Sequence, residues 1–285
     1  MKFFLLPIIV VLCASTLFAD DTYFEKKWSI RGLVDYNYFS QSTEGYDKTM
    51  RSNRPVEIGL GLGYKDFVFD FRYALPFTAG SDKSSSKSFD LASSFFPKNL
   101  WVDAWLNICS GFNAGGQDTT DITDTIVSLD LTLVNYGAKV LYITNPLHTP
   151  RAPYFLDRRQ KTSGYSFMVG GSIQRTRLRS RDSILNFKDR TVDYIGPVEG
   201  VSYTYLFANS LYFVNVTGLL GEYLSYQEQK GKFGYAQNAS IKAAYGYIGD
   251  NWAWNITLGY EATIGFINQE TQTHGFFKIL GIRRF

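Results

Sequence analysis

Cysteine and histidine are almost missing: two of each occur in 285 residues. Cys13 falls in the first apolar stretch, and once that stretch is cleaved only Cys109 remains, so no intramolecular disulfide can form. Cys13 also raises a lipoprotein signal, but Leu12 before it is a poor match to the small residue such signals prefer. Two histidines and one mature cysteine do not make a zinc site. Charge of one sign is equally scarce, with 29 Lys and Arg against 26 Asp and Glu. The formal net charge of +3 falls by one with Lys2, which leaves no basic footprint for nucleic acid. Apart from the N-terminal stretch there is no long apolar run, and even that one is too short to span a membrane as a helix. A mean hydropathy of -0.14 excludes a helical membrane bundle.

What is abundant is aromatic: 20 Tyr, 23 Phe and 5 Trp, together 17% of the chain, alongside 25 Gly. Strand formers and lipid-interface residues dominate such a mixture. Residues 1–19 read as a secretory signal, with Lys2 as the positive start, Phe3 to Val11 as the apolar core and Leu17-Phe18-Ala19 as the cleavage site. Residues 20–285 then form a single domain.

The pattern is clearest from Trp252 to Ile264. Trp252, Trp254, Ile256, Leu258, Tyr260, Ala262 and Ile264 alternate with Ala253, Asn255, Thr257, Gly259, Glu261 and Thr263. A period of two describes a strand with one apolar and one polar face. The stretch exceeds the roughly 9–11 residues with which a tilted strand crosses a bilayer. Its Trp and Tyr residues lie near the ends, where an interfacial girdle belongs. A strand of a soluble sandwich would be shorter and less aromatic outside.

The same rhythm recurs along the chain. Trp28, Ile30, Val34, Tyr36 and Tyr38 oppose Arg31, Asp35 and Asn37; Ile58, Leu60 and Leu62 oppose Glu57 and three glycines; Phe69, Phe71 and Tyr73 oppose Asp70 and Arg72. Gln41 to Asn53, Thr78 to Lys87, Asn113 to Thr125, Arg179 to Arg190, Gln227 to Lys232 and Asn268 to His274 read as loops. In one of them, Asp118, Asp121 and Asp124 lack the spacing of a calcium loop. Between two strong strands, Pro146, Pro150 and Pro153 precede Asp157-Arg158-Arg159-Gln160-Lys161-Thr162-Ser163. Proline cannot donate to a ladder, so 146–163 is irregular, a lumen plug or an end loop. Omitting it leaves twelve strands, and an even number puts both termini on one side. The expected fold is therefore all-β: a transmembrane antiparallel β-barrel of about twelve strands.

Three blocks carry a family resemblance: Leu131-Thr-Leu-Val-Asn-Tyr-Gly137, Tyr142-Ile-Thr-Asn-Pro146, and Arg159-Gln-Lys-Thr-Ser163-Gly-Tyr-Ser-Phe-Met-Val-Gly-Gly-Ser172. They resemble an uncharacterised bacterial family, a domain of unknown function that looks like an outer-membrane barrel. The resemblance spans most of the mature chain. It implies no activity, substrate or catalytic residue. Phe285 resembles the terminal aromatic that barrel-assembly machinery recognises, which makes that machinery and outer-membrane lipids the expected partners.

For chemistry, a lipid-hydrolysing barrel needs a Ser nucleophile, a His base and a third polar group. His148 stands among prolines and His274 in an expected loop, so no catalytic residue is assigned. No metal or cofactor is expected. Arg31, Asp35, Glu57, Asp70, Arg72, Asp103, Lys139, Lys242 and Glu261 should face the lumen as ion pairs or as the lining of a selective pore. Arg158, Arg159, Gln160, Lys161 and Ser163 are candidates for a plug or for an anion site, because Arg forks match phosphate. The leading reading is a non-enzymatic outer-membrane barrel with a structural or solute-passage role. The alternative is an enzyme modifying outer-membrane lipid or glycan.

Overall fold

The computed structural model describes residues 27–43, 46–52, 56–75, 87–115, 127–145, 154, 160, 162–180, 189–208, 211–265 and 270–285. The expected signal at 1–19 and the Asp118, Asp121 and Asp124 loop lie outside them. The strands are β1 (Trp28–Thr43), β2 (Tyr46–Ser52), β3 (Glu57–Tyr64), β4 (Phe67–Ala74), β5 (Lys87–Phe95), β6 (Leu100–Gly115), β7 (Val127–Ile143), β8 (Gly164–Ser180), β9 (Arg190–Phe207), β10 (Tyr212–Gln227), β11 (Lys232–Ile248), β12 (Trp252–Gly265) and β13 (Glu270–Arg284). β1 pairs with β3 on one side and β13 on the other, and each later strand pairs with the next, so twelve strands close an antiparallel barrel. Closure leaves no edge, which is what permits a sheet to sit in lipid.

Inside and outside are inverted relative to a soluble protein. Along β3 the burial alternates without a break: Glu57, Gly59, Gly61 and Gly63 are buried, while Ile58, Leu60, Leu62 and Tyr64 are exposed. Leu60 is 70% exposed and Glu57 1%. Water would penalise that arrangement and a bilayer favours it. Aromatic rings ring the end that holds both termini: Trp28 lies on Tyr64, and Phe207, Tyr212, Tyr247 and Tyr245–Trp254 form a chain of ring contacts 5.3–6.4 Å apart. The barrel is therefore a membrane-spanning one of the outer-membrane type.

Two turns at the terminal end are tight. Lys65 adopts a left-handed φ of 49° and Lys98 one of 51°. Strands at the other end run further than the alternation suggested. Gln41 to Asn53 is not simply a loop: β1 continues to Thr43, and β2 pairs with both β1 and the end of β6. β6 reaches Gly115 and β8 reaches Ser180, while β9 begins at Arg190. Beyond the bilayer both faces of a strand meet water, so backbone pairing persists without an apolar face to mark it. Between Ser110 and Phe112 the register slips by one, with the extra residue on β7 and Gly111 at φ 83° facing it, and Phe112 is buried. The expected loop Asn268 to His274 is likewise corrected, since β13 starts at Glu270 and pairs with the long β1 through Ser42–Thr271.

Two carboxylates break the lipid-face rule. Glu199 is exposed on β9 between Val169 and Leu220, both exposed apolar residues, and Glu222 is exposed on β10 opposite Gln237.

Candidate functional site

Apolar side chains cluster on the inner face near each end. Phe39, Met50, Cys109, Phe112, Leu131, Leu133 and Leu178 cluster at the end away from the termini. Leu33, Phe213, Ala244, Ile248, Ala253, Leu280 and Ile282 cluster at the terminal end, where Tyr154 packs against them. Between the two lies a polar cavity of about 320 Å³.

The wall of β1, β3, β4 and β5 carries a dense charge network. Arg31 donates to both oxygens of Asp70, at 2.7 and 3.2 Å, and is 2% exposed. Arg72 donates to Asp35 at 2.6 Å and lies 3.8 Å from Asp90, with Lys278 3.9 Å from Asp35. Glu57 accepts from Asn37 at 3.0 Å and from Ser88 at 2.6 Å. On the adjoining strands β6 and β7, Asp103 accepts from Ser94 and from the Trp101 indole, and its other oxygen lies 3.4 Å from Lys139. Glu261 accepts from Asn238 at 2.9 Å. These bonds satisfy charges that would otherwise be expensive to bury.

Lys242 differs from its neighbours. Among the described residues no carboxylate comes within ion-pair distance of its amine, which lies 5.8 Å from the Phe276 ring centroid. It lines the cavity with Arg72, Lys139 and Lys278, against Asp90, Asp103 and Glu261. Asp35, behind the lining, pairs with Arg72 and Lys278, and Asp103 with Lys139, so among the described residues Lys242 is the lining cation left without an ion-pair partner.

Of the residues named from sequence, Arg31, Asp35, Glu57, Asp70, Arg72, Asp103, Lys139, Lys242 and Glu261 all project from the inner face. Arg158, Arg159, Lys161 and His148 lie outside the described residues. Gln160 is buried and donates to the Thr162 carbonyl. Ser163 stands elsewhere: its hydroxyl accepts from the Leu206 amide at 2.9 Å, extending the β8–β9 ladder at the rim. Within the same segment, Tyr154 lies in the lumen and donates to the Lys242 carbonyl at 3.3 Å. Burial pushes its phenol well above the ordinary tyrosine range.

The alternation missed several inward groups. Lys278 sits on a strand whose two faces are both partly apolar, with Phe276 and Leu280 beside it, and Asp90 on a short strand whose inner face carries only Ser88, Ala92 and Ser94 beside it. His274, expected in a loop, projects from β13 into the cavity, and its Nε2 lies 3.1 Å from Asn37 Oδ1. Asn37 then donates to Glu57, which accepts from Ser88. This chain ends on a hydroxyl, but an amide and a carboxylate separate it from the imidazole. A hydrolase needs its nucleophile in direct hydrogen-bond contact with the base.

With this interior in view, family membership follows from the chain as a whole. Residues 21–278 match the model described as a domain of unknown function, DUF4421. The chain belongs to this family. The family covers both lumen walls, so the charge network lies wholly within it. No curated protein matches the chain. Among solved structures it is similar to the β domain of the Bordetella autotransporter Brka, at 12% identity and TM-score 0.49 over 91% of this chain and 100% of that one. The translocator domain of NalP from Neisseria meningitidis is similar at 10% identity and TM-score 0.48, over 98% and 95% of the two chains. An anion-selective porin from Comamonas acidovorans is similar at 10% identity and TM-score 0.31, over 92% and 100%.

Proposed function

We propose that this DUF4421 barrel sits in the bacterial outer membrane and passes a small anionic solute through a gated lumen, without transforming it. The observation that carries this reading is the cavity beside Lys242. Among the described residues Lys242 has no carboxylate at ion-pair distance, while the other cations of the chamber are paired with carboxylates, so the charge left to meet a visitor is an ammonium and favours an anion. Tyr154 and the apolar cluster around it form the gate on the terminal side. The cluster at Phe112 and Met50 forms the opposite one. Hydrophobic constrictions close a water path by dewetting and open with small side-chain movements. The His274–Asn37–Glu57–Ser88 chain serves to hold the wall rather than to activate a nucleophile.

Reconstitution into a planar bilayer tests the proposal. The wild-type protein is expected to show small, infrequent openings with a reversal potential favouring anions in a salt gradient. Tyr154→Ala raises open probability, and Lys242→Glu moves the reversal potential toward cations. A barrel that stays electrically silent in all three forms has no passage role. Equal selectivity in wild type and Lys242→Glu would remove Lys242 from the path.

A further inference from the structure

The outer wall of the barrel carries a groove, and parity identifies which face it lies on. A cavity of about 680 Å³ is lined by residues of β4 to β9, most of them from the outward series, among them Leu106, Ala138, Ile173 and Ile195. Residues of the inward series, Ala92, Trp105, Gly137, Gln174 and Tyr194, border it from the wall between them. In register, Ser93, Ala104 and Ala138 stand side by side across β5, β6 and β7. One row toward the terminal end stand Phe95, Val102 and Val140; one row toward the other end stand Leu91, Leu106 and Tyr136. Three small side chains between two rows of larger ones make a trough in a wall that is elsewhere convex. Its volume falls within the roughly 300–1,000 Å³ of small-molecule pockets.

The trough ends at Arg175, and two more arginines follow beyond it on the same strand face. On β8 the outward series runs Tyr165, Phe167, Val169, Gly171, Ile173 and then Arg175, Arg177 and Arg179. The apolar part spans nine residues by number, which is about what a tilted strand needs to cross the hydrocarbon. The arginines therefore stand at the bilayer surface away from the termini, the side that faces outward in barrels whose termini are periplasmic. Arg175 pairs with Asp193 at the edge of the groove. Among the described residues, Arg177 has no carboxylate partner, only a 3.4 Å bond to the Thr191 hydroxyl, and Arg179 is exposed with none.

We propose that this face of β5–β9 holds a phosphorylated glycolipid of the outer leaflet, with an acyl chain in the trough and a phosphate on Arg177 and Arg179. The proposal rests on the outer-membrane reading but not on solute passage. Guanidinium forks take phosphate oxygens two at a time and are more weakly hydrated than ammonium, which suits the headgroup depth. The outer leaflet is the source because the arginines stand on that side. Basic sites above apolar clefts are how membrane proteins retain anionic lipids.

Native mass spectrometry of the full-length protein tests this, with detergent-exchanged samples offered phosphorylated lipid A, its dephosphorylated form, or phosphatidylglycerol. The wild-type barrel is expected to retain one phosphorylated lipid A in preference to both others. Arg177→Gln with Arg179→Gln weakens that retention roughly tenfold or more, the loss of at least one charge-assisted hydrogen bond. Ala138→Trp, which fills the trough, lowers it independently. Heat-modifiable migration in gels checks folding of each variant, and the arginine pair lies outside the apolar belt, so it decides the matter should Ala138→Trp misfold. Retention unchanged in the arginine variant overturns the proposal. So does equal retention of dephosphorylated lipid or of phosphatidylglycerol, which would mark general adhesion of lipid. Failure of this experiment leaves the conductance result standing, and the reverse also holds.

Discussion

Removing Asp70 gives the sharpest test of how the lumen is held. Arg31 is 2% exposed and directs two donors at the Asp70 carboxylate, at 2.7 and 3.2 Å. Asp70→Ala strands the guanidinium in a site with little access to water. Breaking a buried pair from one side costs about 3–5 kcal/mol. Arg31 keeps a further interaction, which places the expected loss at the lower end, ~3 kcal/mol. Since 1.4 kcal/mol is about a factor of ten, the folded-to-unfolded ratio should drop roughly a hundredfold. The double variant Arg31→Met with Asp70→Leu removes both charges and should recover most of that loss, because apolar replacements of buried pairs are often neutral or stabilising. Gly61 supplies an independent perturbation. A Cβ there would lie 2.1 Å from Asp70 Oδ1 and 3.1 Å from Arg31 Cδ, so Gly61→Ala should push the pair apart and weaken it. Reversible urea unfolding into lipid vesicles, followed by tryptophan fluorescence, reads all four proteins. A loss below about 1 kcal/mol for Asp70→Ala is what a solvent-exposed pair would give, and would refute the reasoning.

Glu199→Leu should stabilise the barrel by on the order of 1–2 kcal/mol in the same assay, because a carboxylate between Val169 and Leu220 faces hydrocarbon; no gain would place Glu199 in water or against a partner. Gly170→Ala should destabilise by about 1–3 kcal/mol, since its Cβ would come within 1.9 Å of the Val140 carbonyl oxygen on the facing strand. Thiols introduced one at a time should label from the lipid phase at Ile58 and Leu258 and resist it at Glu57 and Thr257; the opposite pattern would invert the barrel.

How much was legible beforehand depended on whether a residue's environment is set by its own strand. The lipid-facing half of each strand was readable because a period of two needs only neighbours in sequence: Trp252 to Ile264 reports its outer face whatever stands beside it. The barrel class, the twelve-strand count and the inward direction of Glu57 or Asp70 follow from that rhythm plus closure. Which inward charge meets which does not. Arg31 could face any acid at its height, and only the register of β1 on β3 and β3 on β4 brings Asp70 to it. Lys278 was hidden by apolar residues on both faces of its strand, and Asp90 by a short strand whose inner face carries only Ser88, Ala92 and Ser94 beside it. His274 escaped because β13 is completed by pairing with the far end of β1, a contact of long sequence separation. The lipid-side groove was invisible for the same reason: Ser93, Ala104 and Ala138 are unremarkable on their own strands and make a trough only when three strands align them. The sequence by itself determined the inside and the outside of this barrel, because alternation is local. Tertiary structure decided its ion pairs, its unmatched Lys242, its lumen Tyr154 and its groove, because each arises from strands that meet only when the barrel closes.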